Sequence, residues 1–104
     1  MTALSGVRVL ELAEGAAGEY CGKLLADFGA EVIKLENPVS GSPTRGMSPL
    51  ADAGAVTERS GLFAYLNTGK RSVALDITSG GGQSALQQLL SHVDVVSDDH
   101  SAAW

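Results

Sequence analysis

Three stretches of this chain hold residue types that do chemistry. Ala13-Glu14-Gly15-Ala16-Ala17-Gly18 gathers small residues between two apolar segments. Such residues let a backbone approach a ligand closely, or simply relieve crowding where a strand turns into a helix. Lys70-Arg71 is a basic pair on a polar turn, which either attracts phosphates or stays solvated. Asp98, Asp99 and His100 offer three donor groups of the kind that bind metals, but in an irregular tail such a trio is ordinarily a hydrated terminus, and no metal is expected. The single cysteine, Cys21, has no intramolecular disulfide partner. It is expected on the apolar side of a helix as a small buried hydrophobe rather than as a nucleophile. His92 follows a helix end, where a cation complements the helix dipole. Neither His92 nor His100 is expected to be catalytic.

The elements that must position these residues follow from periodicity. Val7 to Leu12 partly alternates apolar and polar residues and reads as a strand. The small-residue bend comes next, then a helix over Glu19 to Phe28 with Tyr20, Leu24, Leu25 and Phe28 at helical spacing. Gly29 stops that helix, and Glu31 to Glu36 alternates as a second strand. Together they form a βαβ unit, expected to be right-handed. From Asn37 to Ser60 periodicity disappears, and a loop of that length points to a function or to stabilisation by a missing partner. The apolar pattern resumes at Gly61 to Leu66, a polar turn spans Asn67 to Arg71, and Ser72 to Asp76 reads as a third strand. Thr78-Ser79 and three glycines open a helix running to about Ser91, with Leu86, Leu89 and Leu90 on its apolar face, and Val93 to Val96 is the fourth strand. The order implies an α/β fold of Rossmann-like type, a mainly parallel four-stranded sheet with flanking helices. Residues 1–104 are expected to form a single domain.

Composition excludes several function classes. The chain has 104 residues, 44% hydrophobic and 18% charged, and a net charge of −5. That acidity argues against nucleic-acid binding, which needs a basic surface to displace counterions. No basic segment precedes an apolar core at the N-terminus, and no apolar run approaches the ~20 residues of a membrane span. A soluble protein of the reducing cytoplasm is the expectation.

Over nearly its whole length the chain resembles a known family. Leu4 to Leu12, Cys21 to Glu36 and Ser60 to Asp76 are similar, in order and spacing, to the class III CoA-transferases of CaiB/BaiF type, which include α-methylacyl-CoA racemase. The resemblance implies that the nucleotide of coenzyme A or an acyl-CoA lies along loops at the carboxyl ends of the strands. It also implies a small carboxylic acid as second substrate, and an interlocked homodimer or a complementary CoA-transferase chain as partner. In the family's transferases an aspartate forms an anhydride with the acyl group before thioester exchange. That aspartate, like the His and Asp pair of the racemases, lies downstream of the matched region. No catalytic residue is therefore assigned, and the chain reads as an apparently truncated N-terminal portion.

The cofactor contacts implied by the resemblance are Ala16, Ala17, Asn37, Leu75, Thr78 and Asp99, with Arg45 supplying positive charge from the long loop. Several positions depart from the family pattern. Glu19 replaces a usual proline and is expected to bring a carboxylate near the anion pocket. Asn37 and Thr78 stand where some relatives carry a basic residue. Asp98-Asp99 replaces an acid and an amide, and two acids should repel CoA phosphates. The leading expectation is the CoA-binding part of an acyl-CoA:carboxylate CoA-transferase. A non-catalytic CoA-binding or partner-subunit module, and a racemase-like fragment, are the alternatives.

Overall fold

The computed structural model describes residues 2–52, 54 and 58–102. Residues 53 and 55–57 of the long loop, and 103–104 of the tail, lie outside the described residues. Four strands, β1 (Arg8–Glu11), β2 (Glu31–Glu36), β3 (Arg71–Ala74) and β4 (Val95–Ser97), form one sheet in the order β3-β2-β1-β4. All three pairings are parallel, with Leu10 beside Ile33 and Val96, and Leu35 beside Val73. A parallel sheet covered by crossover helices buries both faces of its central strands. Accordingly Val9, Leu10, Val32 and Leu35 are all buried.

Helix α1 (Ala16–Asp27) makes the crossover from β1 to β2. It begins earlier than its apolar spacing suggests, because Ala16 to Gly18 already follow the helical path. Gly29 ends it at a φ of 104°, a left-handed conformation that favours glycine. The N–H of Gly29 then reaches Ala26 O at 3.0 Å and that of Ala30 reaches Leu25 O at 3.0 Å, satisfying carbonyls of the last turn. Under α1, Val9, Ala30 and Val32 form a core cluster against Leu4, Val7, Leu25 and Ala26.

Two shorter helices follow. α2 (Gly61–Leu66), in the segment where only an apolar pattern was legible, starts at Ser60, whose hydroxyl accepts from Phe63 N at 3.1 Å. α3 (Gly80–Leu90) starts at Ser79, whose hydroxyl accepts from Gly82 N at 2.9 Å. Such hydroxyl caps satisfy a donor the first turn leaves open. Within the long loop, Pro43–Gly46 forms a 3₁₀ turn.

The structure corrects two expectations about α1. The stripe of Tyr20, Leu24 and Phe28 faces outward, with Tyr20 43% and Phe28 58% exposed, and Cys21 is exposed rather than in the core. The buried residues of the helix are Glu19 and Gly22. Gly22 packs so closely on the Glu11 carboxylate that a Cβ there would collide with it and crowd Lys70 Nζ at 3.0 Å. The helix thus turns a polar, glycine-bearing side to the sheet near its N-terminus and leaves the aromatic stripe outside.

Candidate functional site

A cleft of about 580 Å³ opens at the carboxyl ends of β1, β2 and β3. Asn37, Leu75 and Thr78 all line it, together with Leu12, Glu14 and the Ser40–Pro43 segment of the long loop. Asn37 and Leu75 arrive there because β2 and β3 end just before them, and Thr78 lies on the turn beyond β3. Asn37 follows β2 directly, and Leu75 N donates to Glu36 O at 3.0 Å, continuing the β2–β3 ladder one residue past β3. The Asn37 side chain accepts from Val39 N at 2.8 Å and Ser40 N at 3.2 Å, folding the loop back at its start. Thr78 donates from both N and Oγ1 to Asp76 Oδ1, at 3.0 and 2.5 Å, and these bonds hold the Asp76 carboxyl below its usual range. The charged groups lining the cleft are Glu14, Glu36 and Asp76, and no lysine or arginine lines it among the described residues.

Arg45 does not line that cleft. Its Nε donates to Glu36 Oε2 at 2.7 Å and its Nη2 to Glu36 Oε1 at 2.9 Å. The guanidinium also lies 3.9 Å from the centre of the Phe63 ring. Glu36 accepts two further bonds, from Ser42 N at 2.8 Å and from Ser72 Oγ at 2.6 Å. Burial works to raise the Glu36 pKa, but the hydrogen bonds from Arg45, Ser72 and Ser42 outweigh it and bring the carboxyl down to about 2.

Beside this group lies a buried ionic cluster that the sequence reading did not find. Lys34 Nζ stands 3.1 Å from Glu11 Oε2 and 2.5 Å from Glu19 Oε2, the second a charge contact rather than a directed hydrogen bond. Lys70 Nζ bonds Glu11 Oε1 at 2.8 Å, Glu19 O at 2.8 Å and Asn67 Oδ1 at 2.8 Å. Burial pushes the Lys70 ammonium down, against the pull of Glu11 and with the like charge of Lys34 nearby. Two cations therefore meet two carboxylates, as burial of charge demands. Glu19 is thus not at an anion pocket: it is fully buried, and its Oε1 accepts from Thr44 Oγ1 at 2.6 Å. Lys70, whose side chain is 2% exposed, belongs to this cluster rather than to solvent, whereas the Arg71 side chain is 78% exposed. One signal for the cluster was present in the sequence: Glu11 and Lys34 hold equivalent places near the ends of two strands expected to be neighbours, and they do pair in register.

The small-residue bend lies at the point where strand order reverses, between β1 and β4, the usual crevice for ligands in open α/β sheets. Ala16 and Ala17 are exposed in the first turn of α1. The bend itself is filled by a side chain from after β4. Asp99 Oδ1 accepts from Glu14 N at 3.0 Å and Asp99 Oδ2 from Gly15 N at 2.8 Å. A Cβ at Gly18 would stand 2.6 Å from Ala13 Cβ and 2.8 Å from Asp99 Oδ2, so glycine is needed there for space. His100 pairs with Glu14 Oε1 at 2.8 Å and Asp98 Oδ1 at 2.5 Å, and His92 Nδ1 contacts Gln88 O at 2.8 Å at the end of α3. Asp98, Asp99 and His100 do lie near one another, but Asp99 and His100 are engaged with the bend.

An all-parallel α/β sheet with a cleft at its carboxyl edge defines a broad class of ligand-binding proteins. Comparison with known proteins narrows it. Residues 4–103 match the model of CoA-transferase family III, and the chain belongs to that family. It is 39% identical over 98 residues to a succinate–glutarate CoA-transferase of Agrobacterium fabrum, covering 92% of this chain and 24% of that protein. It is 43% identical over 97 residues to a formyl-CoA:oxalate CoA-transferase of Rhodopseudomonas palustris, covering 93% and 22%. The fold superposes on the crystal structure of a CaiB/BaiF family protein from Brucella suis with a TM-score of 0.84 at 35% identity, covering 95% of this chain and 26% of that one. The chain thus spans about a quarter of the length of the relatives it matches. No helix of the described residues is long and apolar enough to cross a membrane.

Proposed function

We propose that this chain provides the cofactor-binding portion of an acyl-CoA:carboxylate CoA-transferase, with Asn37, Leu75 and Thr78 and the bend at Ala16 and Ala17 against the nucleotide end of CoA. The observation that carries the reading is the convergence of Asn37, Leu75 and Thr78 on one cleft at the carboxyl ends of three parallel strands. Arg45 acts indirectly, through Glu36. Asp99 serves as an occupant of the bend that a ligand reaching Glu14 N and Gly15 N must displace. No nucleophilic carboxylate and no acyl specificity is assigned to these residues.

The absence of lysine and arginine from the cleft lining, among the described residues, makes electrostatics the weak point of CoA binding by this chain alone. Phosphates gain from nearby cations and lose beside Glu14 and Asp76. Titration calorimetry with CoA and with adenosine tests the reading. Measurable binding of both, with adenosine held at least as tightly as CoA, is expected. Absence of binding by either ligand would remove the cofactor role and leave the second reading, a partner-subunit module, which the Asp99-filled bend favours. In an assay of CoA exchange between succinyl-CoA and a free carboxylate, the chain alone is expected to be inactive.

A further inference from the structure

We propose that Glu36 is a positioning residue of the cleft, its carboxylate holding the loop 37–46 against β3 and so presetting the wall on which the ligand rests. This rests on the reading of the cleft as the CoA site. Glu36 is the last residue of β2, 5% exposed, and its carboxylate joins two separate segments. From the loop it accepts Ser42 N and both guanidinium bonds of Arg45, and from β3 it accepts Ser72 Oγ. Bonds to an ionised carboxylate are shorter and stronger than neutral ones, and the bidentate fork also fixes orientation.

The loop is built around this carboxylate. Gly41 adopts a φ of 68°, and a Cβ there would lie 2.6 Å from Arg45 Cδ and 3.0 Å from Glu36 Oε2. Both conformation and space thus require glycine where the chain wraps the ion pair. Gly41 N donates to Asn37 O at 2.9 Å and Arg45 N to Ser42 O at 3.0 Å, so the loop's own turns close around the same centre. Behind it Thr44, fully buried, ties the 3₁₀ turn to Glu19. A loop without periodicity would otherwise sample many conformations, and ordering it at the moment of binding would weaken affinity. With Glu36 in place, Asn37 and the Ser40–Pro43 wall are set beforehand.

Amide hydrogen exchange followed by NMR, paired with CoA calorimetry, tests this on the full chain. In Glu36→Gln the amides of Gly41, Ser42 and Arg45 are expected to exchange roughly ten- to a hundredfold faster, matching the loss of charge-assisted bonds. The amides of Val9, Leu10 and Val32 should keep their rates, and CoA affinity should fall about tenfold or more. Arg45→Lys, which keeps the cation, should retain part of the loop protection, and Arg45→Met, which keeps an apolar stem on Phe63, should not. Unchanged loop exchange in Glu36→Gln, or a loosened loop with unchanged CoA affinity, overturns the proposal. Should Glu36→Gln lose protection in the sheet as well, Arg45→Met decides by the same readout, with unchanged loop exchange the refuting result. If the native chain binds no CoA, the cofactor reading fails, and the exchange rates still decide whether Glu36 sets the loop.

Discussion

At the carboxyl edge of the sheet two carboxylates are held in opposite ways. Glu36 is buried and held by a guanidinium, a hydroxyl and an amide drawn from two segments. Asp99 is exposed and held by two backbone amides of a single bend. The first arrangement joins elements that would otherwise part, and it lies beside the Glu11, Glu19, Lys34 and Lys70 cluster. The second satisfies two amides at a helix mouth, which donate to an anionic oxygen whatever group carries it. The same chemical group ties two segments together at the cleft and, at the neighbouring bend, engages only two adjacent amides.

Four experiments break or sharpen this contrast. The largest effect should come from Lys34→Met, which leaves Glu19 buried without the cation 2.5 Å away. Urea denaturation is expected to register a loss of about 3–5 kcal/mol, and a loss below about 1 kcal/mol would mean the cluster readily admits water. Acid comes next. Glu36 has its folded pKa depressed from 4.5 to about 2, so between these values the unfolded chain binds the proton more readily. Its contribution is therefore complete above about pH 4.5 and drains away as pH falls toward 2. Thermal melts across that range should fall more steeply for the native chain than for Glu36→Gln.

Removing Asp99 should cost less and act on ligand in the other direction. Asp99→Ala is expected to lower stability by about 1 kcal/mol, as for other lost caps, while CoA binds as tightly as before or more tightly. Weaker CoA binding in that variant would make Asp99 a contact rather than an occupant. The smallest effect belongs to the surface pair Arg8–Glu31, 3.6 Å apart with both side chains well exposed. Arg8→Ala should change the denaturation midpoint by no more than about 0.5 kcal/mol equivalent.

Much of the scaffold was legible in the sequence because local signals agreed with the tertiary outcome. Gly29 marked a helix end, Ser79 a helix start, and the alternation of Glu31 to Glu36 a strand. α2 escaped because six residues between Ser60 and Asn67 are too few for helical periodicity to separate from a strand. The outer face of α1 was misread for a related reason: Tyr20, Leu24 and Phe28 are the apolar set, yet the space under the helix is shaped by Gly22 over Glu11. In the cleft, Asn37, Leu75 and Thr78 were named from the family resemblance alone, and they meet at its lining because each lies at or a few residues beyond the end of a strand. The intramolecular partners of Arg45, Glu19 and Asp99 were not legible, because Glu36, Lys34 and Gly15 each meet them only through the tertiary fold.

One margin of the sheet has a consequence for how the chain behaves in concentrated solution. β4 has only three residues, borders a neighbour on one side alone among the described strands, and exposes Val95 and Val96. Unpaired backbone with valine side chains invites a second molecule to add on, but Asp94 and Asp98 bracket the pair. Two such borders meeting would bring four acidic groups together. Like charges brought together at an open strand border are a recognised brake on edge-to-edge pairing, and Asp94 and Asp98 stand where such a brake acts.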